Sequence, residues 1–354
     1  MARLGQLKLA MGTSILLVSL IFATFLFVVL FIIQEFVATI GLTYWIILIV
    51  ALPIVFILFQ YLIGPAIVKM STRLQYLQPG QNPWLESTVK ELADKSSLPM
   101  PKLAIVPENT PNAFVFGRTA QSATLAVHEG LLKNLNENEV KAVIGHELGH
   151  LKHKDYIVMT VLSALPLIAY LVARGTWTTA WISGRSSRQR NEGDMRAALF
   201  IIGILSYVVY IISLLCVMRL SRLREHYADA YSAYVTNSPS NLESALAKIT
   251  YGLSLSPKAP SGVRAFYIGD PSLAKQEISE IMEKKDEYDL DHDGVLDEKE
   301  LELAMEKEAK STWKTINSWF STHPPTFRRI MLLQEIEQEM HTGKYTTDRV
   351  YAHV

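Results

Sequence analysis

A chain of 354 residues has room for two ordinary domains, but 49% of it is apolar and much of that is gathered into long runs without charge. Its 34 basic and 34 acidic side chains balance to a net charge of zero, which removes any overall electrostatic case for nucleic acid or for an acidic partner. The single cysteine, Cys216, excludes an intrachain disulfide and suits a reducing compartment.

No charged residue occurs from Leu9 to Gln34, nor from Phe36 to Val68. Each run exceeds the ~20 apolar residues that cross ~30 Å of hydrocarbon as a helix, so residues 1–70 read as a transmembrane hairpin. A cleaved secretory signal is the competing explanation, because Arg3 and Lys8 precede the first run. That run is too long for a signal core, and no small-residue cleavage pattern separates it from the second span. Basic residues flank the hairpin on one side: Arg3 and Lys8 before it, Lys69 and Arg73 after it, against Glu35 alone in the connection. The positive-inside rule then puts the N-terminus and the chain after the hairpin on the cytoplasmic side of a cell membrane.

Residues 71–354 hold the soluble part. Leu85, Val89 and Leu92 recur at helical spacing between Pro83 and Ser97 and predict an amphipathic helix. Short β-rich segments follow at Lys102–Val106, Ala113–Phe116 and Ala123–Val127, separated by Pro, Asn and Gly. A helix starts at about Asn136, where Glu139 completes a capping box. Neither Pro nor a further Gly lies between Gly149 and Pro166, so this helix is expected to continue unbroken into a third apolar run.

That helix carries VIGHELGHLKH, Val143 to His153. Residues four apart project from one helical face, so His146 and His150 can both offer an imidazole nitrogen to one ion. Zinc takes three protein ligands in catalytic sites and keeps a fourth position for water. Glu147 then stands beside that water, able to take its proton as it attacks a carbonyl. A solvated histidine pair is the plainer alternative. His153, by its spacing, faces elsewhere.

The third and fourth apolar runs, 156–173 and 197–218, are of about the minimum spanning length; they either cross the bilayer or lie partly inserted. The connection between them carries Arg174, Arg185, Arg188, Arg190 and Arg196 and would resist translocation, but an even number of crossings returns the chain to the same side in either case. Directly after the fourth run, SRLREHYADA offers Glu225 and Asp229, again four apart. One carboxylate can complete a zinc shell while the other accepts a hydrogen bond from a ligand histidine and fixes its tautomer. The ligand segments abut the apolar runs, which predicts a zinc within roughly 10 Å of the membrane surface and substrates that arrive in or against the bilayer.

A loop rich in Pro, Gly and Ser, Ser256 to Pro271, sets off a charged C-terminal part. Within it DLDHDGVLDEKE fits a calcium loop inside an EF-hand-like helix-loop-helix insertion at residues 272–310. Asp289, Asp291 and Asp293 supply carboxylates, Gly294 the sharp turn and Val295 its carbonyl. Asp297 acts through water and Glu300 with both oxygens. A solvated acidic connector is the alternative.

His146-Glu147-Leu148-Gly149-His150, the downstream Arg224, Glu225 and Asp229, and the N-terminal hairpin together resemble the HtpX-like membrane metalloproteases. The resemblance runs from the first span to about Leu333 and includes Pro111-Asn112-Ala113-Phe114 with Gly117, and Thr322-His323-Pro324-Pro325 followed by Arg329. It implies a mainly α-helical α+β chain: a multi-pass membrane protein with a cytoplasmic zincin-like metalloprotease domain and a small β-sheet. As in the related prenyl-protein endoproteases, it implies zinc on His146, His150 and Glu225, with Glu147 as general base. It further implies that Asn112, Ala113 and Phe114 lie on a strand that pairs with substrate backbone, that His323 stabilises the oxyanion, and that Arg329 braces the site. An ordinary turn into the final helix is the other reading of His323-Pro-Pro. The function implied is proteolysis of misfolded membrane proteins and unfolded polypeptides. Two alternatives stand beside it: processing of lipidated C-termini, and a calcium-responsive membrane-tethered binding protein whose zinc is structural.

Overall fold

A computed structural model describes residues 2–34, 42–183, 192–255, 267–292, 296, 300–301, 303–304, 307, 321–343, 345 and 349–354. Most of the basic connection at 184–191, most of the loop from Ser256 to Pro271, and the calcium-loop positions Asp293, Gly294, Val295 and Asp297 lie outside the described residues.

The chain opens with two long helices, α1 (Ala2–Gln34) and α2 (Leu42–Thr72). A two-residue strand β1 (Gln75–Tyr76) leads to α3 (Pro83–Lys95), whose start is set by Pro83 at the first turn and by Asn82 Oδ1 accepting the Leu85 N–H. Strands β2 (Lys102–Val106), β3 (Ala113–Phe116) and β4 (Thr124–His128) follow. The sheet order is β1-β2-β4-β3, with β2 and β4 parallel and the other neighbours antiparallel, so β3 stands at an edge. The last strand lies one residue later than its pattern predicts, and β1 is too short to leave a sequence signal.

After α4 (Glu129–Asn134), helix α5 (Glu137–Lys152) begins at the expected capping box, with both reciprocal hydrogen bonds between Asn136 and Glu139 formed. It does not run on into the apolar segment. His153 ends it, Lys154 takes a left-handed φ of 60°, and α6 (Asp155–Ser183) starts afresh. That break, absent from the hydrophobic pattern, turns Asp155 back toward α5. Helix α7 (Glu192–Thr236) spans 45 residues and carries both the fourth apolar run and the Glu225 segment. Helices α8 (Pro239–Leu255), α9 (Pro271–Glu283), α10 (Lys285–Tyr288) and α11 (Thr326–His341) complete the described elements.

The chain divides into two compact units, one formed by Lys8–Ile63 with Ile157–Leu220 and the other by the remainder. In the first, helices α1, α2, α6 and α7 are long and apolar enough to cross a membrane. Large apolar side chains cover its outside, among them Leu16 at 70% and Phe27 at 61% exposure, an array that water does not tolerate and lipid does. In the second unit, the core gathers Leu85, Val89 and Leu92 of α3, Leu125 and Val127 of β4, Val143, Ile144 and Leu148 of α5, Leu246 and Ile249 of α8, and Leu333 and Ile336 of α11. The apolar stripe of α5 is thereby buried, and its histidine face turns to α7.

Candidate metal centre

Two small residues set the approach of α5 to α7. A Cβ added to Gly149 would lie 3.1 Å from Ala228 Cα, and one on Gly145 would lie 3.1 Å from Ser232 Oγ, tighter than nearly all real contacts. Glycine removes that obstacle, and the Ser232 hydroxyl donates to the Ala142 carbonyl at 2.6 Å, tying the two helices together. The close approach brings Glu225 of α7 over the two histidines of α5.

His146, His150 and Glu225 form a triangle. The two Nε2 atoms are 3.1 Å apart; His146 Nε2 is 3.5 Å from Glu225 Oε2 and His150 Nε2 is 3.4 Å from Glu225 Oε1. Ligands ~2.0–2.1 Å from a tetrahedral zinc lie ~3.3–3.4 Å apart, and each of these separations is near that value, the two histidines approaching different oxygens of Glu225. The protonation pattern agrees. His146 Nδ1 is 2.9 Å from Asp229 Oδ1, and His150 Nδ1 is 2.6 Å from Asp155 Oδ2. Hydrogen-bond geometry thus assigns Nδ1–H to both rings and turns the two Nε2 atoms toward each other, where a cation can take the place of a proton held between them. Glu225 Oε2 is buried among cationic or metal-ligating groups, with His146 Nε2 at 3.5 Å, His323 Nδ1 at 3.3 Å and Arg329 Nη1 at 3.7 Å.

The supporting carboxylates are themselves held. Arg329 grips Asp229 with Nε at 2.8 Å and Nη2 at 2.6 Å, a two-pronged contact in which both residues are buried. Arg224 Nε pairs with Asp155 Oδ1 at 2.8 Å. Asp155 escapes the sequence reading: it lies just beyond the helix that carries His150 and returns to it only because the chain breaks at Lys154. Burial weakens proton binding at His146, but hydrogen bonds to Asp229 and Glu225 outweigh it and raise its pKa to about 9, a sign that the pocket favours positive charge on this ring. Burial also works against the charge on Arg329, and the Asp229 carboxylate outweighs it, so the guanidinium stays charged.

Glu147 is buried beside the triangle. Its Oε2 accepts the Val115 N–H at 2.9 Å, which links it to the edge strand. Burial raises its carboxyl above the ordinary glutamate value, against the pull of His150 and His146. Along β3 the backbone alternates. Asn112 accepts the His128 N–H from β4, so residues 112, 114 and 116 face inward, while Ala113 and Val115 turn their backbone groups to the open edge. The Asn112 side chain does not sit at that edge. It is buried, and its Oδ1 accepts the Ile268 N–H at 2.9 Å, while the Ile268 carbonyl accepts from Arg329 Nη1 at 2.6 Å. The backbone of one residue, Ile268, therefore joins the strand to the arginine that braces His146, a link that no sequence spacing announces.

His323 also reaches this centre. Its Nδ1 is 3.3 Å from Glu225 Oε2, and neither ring nitrogen has a hydrogen-bond partner although the residue is buried. Its backbone N–H is donated to Ser321 Oγ, which lies 3.3 Å from Asp270 Oδ2, the cap of α9. His153 stays away from the triangle, as its spacing predicts, and its Nε2 meets the Tyr351 hydroxyl at 2.8 Å. Elsewhere Asp289, Asp291 and Glu300 each bring a carboxylate oxygen within 4.8 Å of one another, a second group able to hold a metal.

Residues 79–337 match the family described as Peptidase family M48. The chain is 32% identical to the Protease HtpX homolog of Aeropyrum pernix, over 80% of this chain and 84% of that protein. It is 39% identical to the Protease HtpX homolog of Methanothermobacter thermautotrophicus, over 56% of this chain and 71% of that one. A solved structure, S. mikatae Ste24p, is similar with a TM-score of 0.48 and 17% identity, covering 94% of this chain and 67% of that one.

Proposed function

The chain belongs to peptidase family M48 and is a membrane metalloprotease, and from that premise we propose that it is a zinc endopeptidase of the cytoplasmic membrane that cleaves membrane proteins and unfolded segments. The observation that carries this reading is the pair of facing Nε2 atoms closed by Glu225, with a buried glutamate beside them.

In this reading His146, His150 and Glu225 hold the metal, and Asp229 and Asp155 fix the two rings. A zinc held there would supply a water of lowered pKa, toward ~7, and polarisation of a carbonyl oxygen. Glu147 takes the proton as a peptide carbonyl is attacked and passes it to the leaving amine. Its Oε2 is held by Val115, which leaves Oε1 for that proton, and its raised affinity suits a base. The outward groups of Ala113 and the carbonyl of Val115, whose own N–H is held by Glu147, pair with substrate backbone as an added strand; main-chain bonds of that kind carry little sequence information and allow many substrates. His323, with two unbonded nitrogens beside Glu225, donates to the oxygen that gains charge. Arg329 acts through Asp229 and Ile268.

Membrane-protein substrates follow from α7, one helix that holds both an apolar run and Glu225. Arg3, Lys8, Lys69 and Arg73 support a cytoplasmic active site. Lipid-tail processing and a purely structural zinc are not favoured: the relatives are named as HtpX-type proteases, and a structural site has no use for Glu147. The mechanism is tested by Glu147→Gln, which should keep zinc and lose ~10²–10⁴-fold in casein cleavage; near-normal turnover would end it. Comparing membrane proteomes of cells with active and Glu147→Gln copies tests the substrate class, and unchanged membrane-protein levels would argue against it.

A second ion belongs to the same reading. Asp289 and Glu300 are buried, and Glu300 Oε1 accepts the Leu290 N–H at 2.6 Å, closing the ends of the twelve-residue stretch. Leu296, Leu301 and Ala304 pack with Ile278 and Ile281 of α9 and with Phe327 and Ile330, which flank Arg329 on α11. This supports calcium at Asp289–Glu300, stabilising the helix that carries the brace. Isothermal titration on the wild type and on Asp289→Ala/Glu300→Ala tests it; equal, negligible heats would sink the idea.

A further inference from the structure

In the four-helix unit, α6 and α7 run antiparallel and carry a cluster that proteolysis does not use. Trp177 packs against Gly203, where an added Cβ would stand 2.1 Å from the indole Nε1. The Trp177 ring is 5.7 Å from Tyr207, Tyr207 is 5.7 Å from Tyr210, and Tyr210 is 5.5 Å from Tyr170. Beside these rings opens a cavity of about 450 Å³, lined by Tyr170, Arg174, Trp177, Trp181 and Tyr207 among others, in which Arg174 is the one charged lining residue among the described residues. Arg174 is exposed and Trp181 is 74% exposed, so the cavity opens sideways and not into a packed core.

Depth and chemistry narrow the occupant. Counting from Ile157, the first residue of α6 in this unit, Arg174 lies ~26 Å along the axis at 1.5 Å per residue, close to the ~30 Å hydrocarbon thickness. Tryptophan and tyrosine concentrate at that boundary, and an arginine there extends its guanidinium to the headgroups. The neighbouring hydroxyls of Thr176, Thr178 and Thr179 donate to carbonyls of their own helix.

We propose that this cavity binds the phosphodiester headgroup of an anionic glycerophospholipid, with Arg174 on the phosphate oxygens and the glycerol and upper acyl carbons against Trp177, Trp181 and Tyr207. The guanidinium fork matches two phosphate oxygens of such a headgroup. Among the described lining residues there is no carboxylate, so within them a headgroup ammonium gains no partner and meets the positive charge of Arg174.

The test uses the full-length protein in mixed micelles, with retained lipid read by native mass spectrometry and melting temperature read alongside. The wild type should retain phosphatidylglycerol about tenfold more tightly than phosphatidylcholine, a difference of the size one charge-assisted contact gives. Arg174→Gln should lose that preference while cleaving casein at the wild-type rate. Arg196→Gln should keep it, since Arg196 sits outside the cavity, 5.9 Å above the Phe200 ring. The proposal is overturned if Arg174→Gln keeps the preference, if Arg196→Gln loses it equally, or if inorganic phosphate alone gives the full stabilisation. Capture of polypeptide in place of lipid by a photo-crosslinker at position 181 in membranes would also overturn it.

Discussion

The two metal-capable groups of this protein are built in opposite ways. His146, His150 and Glu225 come from two helices, and their geometry is enforced by residues of other segments: Asp155 with Arg224, Asp229 with Arg329, and Val115 behind Glu147. Asp289, Asp291 and Glu300 come from one stretch of twelve residues, held at its ends by the Leu290 and Asp291 N–H groups donated to Glu300. The first group is an organised receptor whose ligand atoms already stand at zinc spacing. The second is drawn from a single local stretch of chain. Mutations outside the ligands should therefore matter strongly at the first and little at the second.

The largest expected contrast lies in the ligands. Glu225→Ala should remove zinc and with it proteolysis, whereas Glu300→Ala should leave zinc content unchanged; metal analysis of both variants decides it. Normal zinc in Glu225→Ala would mean that the third ligand is misassigned. Next come the ring-orienting carboxylates: Asp229→Asn and Asp155→Asn should each weaken zinc by ~10–100-fold in competition with a chelator. An unaffected Asp155→Asn would break the claim that the outer partners organise this centre. A smaller effect is expected from Gly149→Ala, which sets a methyl against the Ala228 backbone and parts α5 from α7. Overpacking of that kind costs about 1–3 kcal/mol, and thermal unfolding with zinc present should register it together with weaker zinc binding. Smallest of all, removing calcium with a selective chelator should lower the melting temperature by a few degrees, ~4 °C for each 1 kcal/mol at most in a chain of this size, and leave zinc in place. Loss of zinc on calcium removal would show that the two groups are not independent.

Local patterns were legible because their causes are local. The charge-free runs, the Asn136–Glu139 capping box, the boundaries of β2 and β3, and the four-residue spacings of His146 with His150 and of Glu225 with Asp229 all follow from short-range periodicity or capping chemistry. The continuous helix expected between Gly149 and Pro166 did not form, because hydrophobic period is silent about a single left-handed residue such as Lys154. The role of the Asn112 side chain was equally hidden, since its partner is a backbone N–H far along the chain.

By itself the sequence determined the kinds of groups present and their order on each helix: two imidazoles and a carboxylate on one face of α5, two carboxylates on one face of α7, and apolar stretches long enough for lipid. Only the tertiary structure decided which nitrogen of each ring looks inward, that Asp155 and Asp229 divide the two histidines between them, and that Ile268 joins the edge strand to Arg329. The physical reason is that side-chain type and helical phase are properties of a segment. A tautomer, by contrast, is set by whichever partner comes within hydrogen-bond distance, and here that partner is delivered by a glycine-lined helix crossing and a one-residue break.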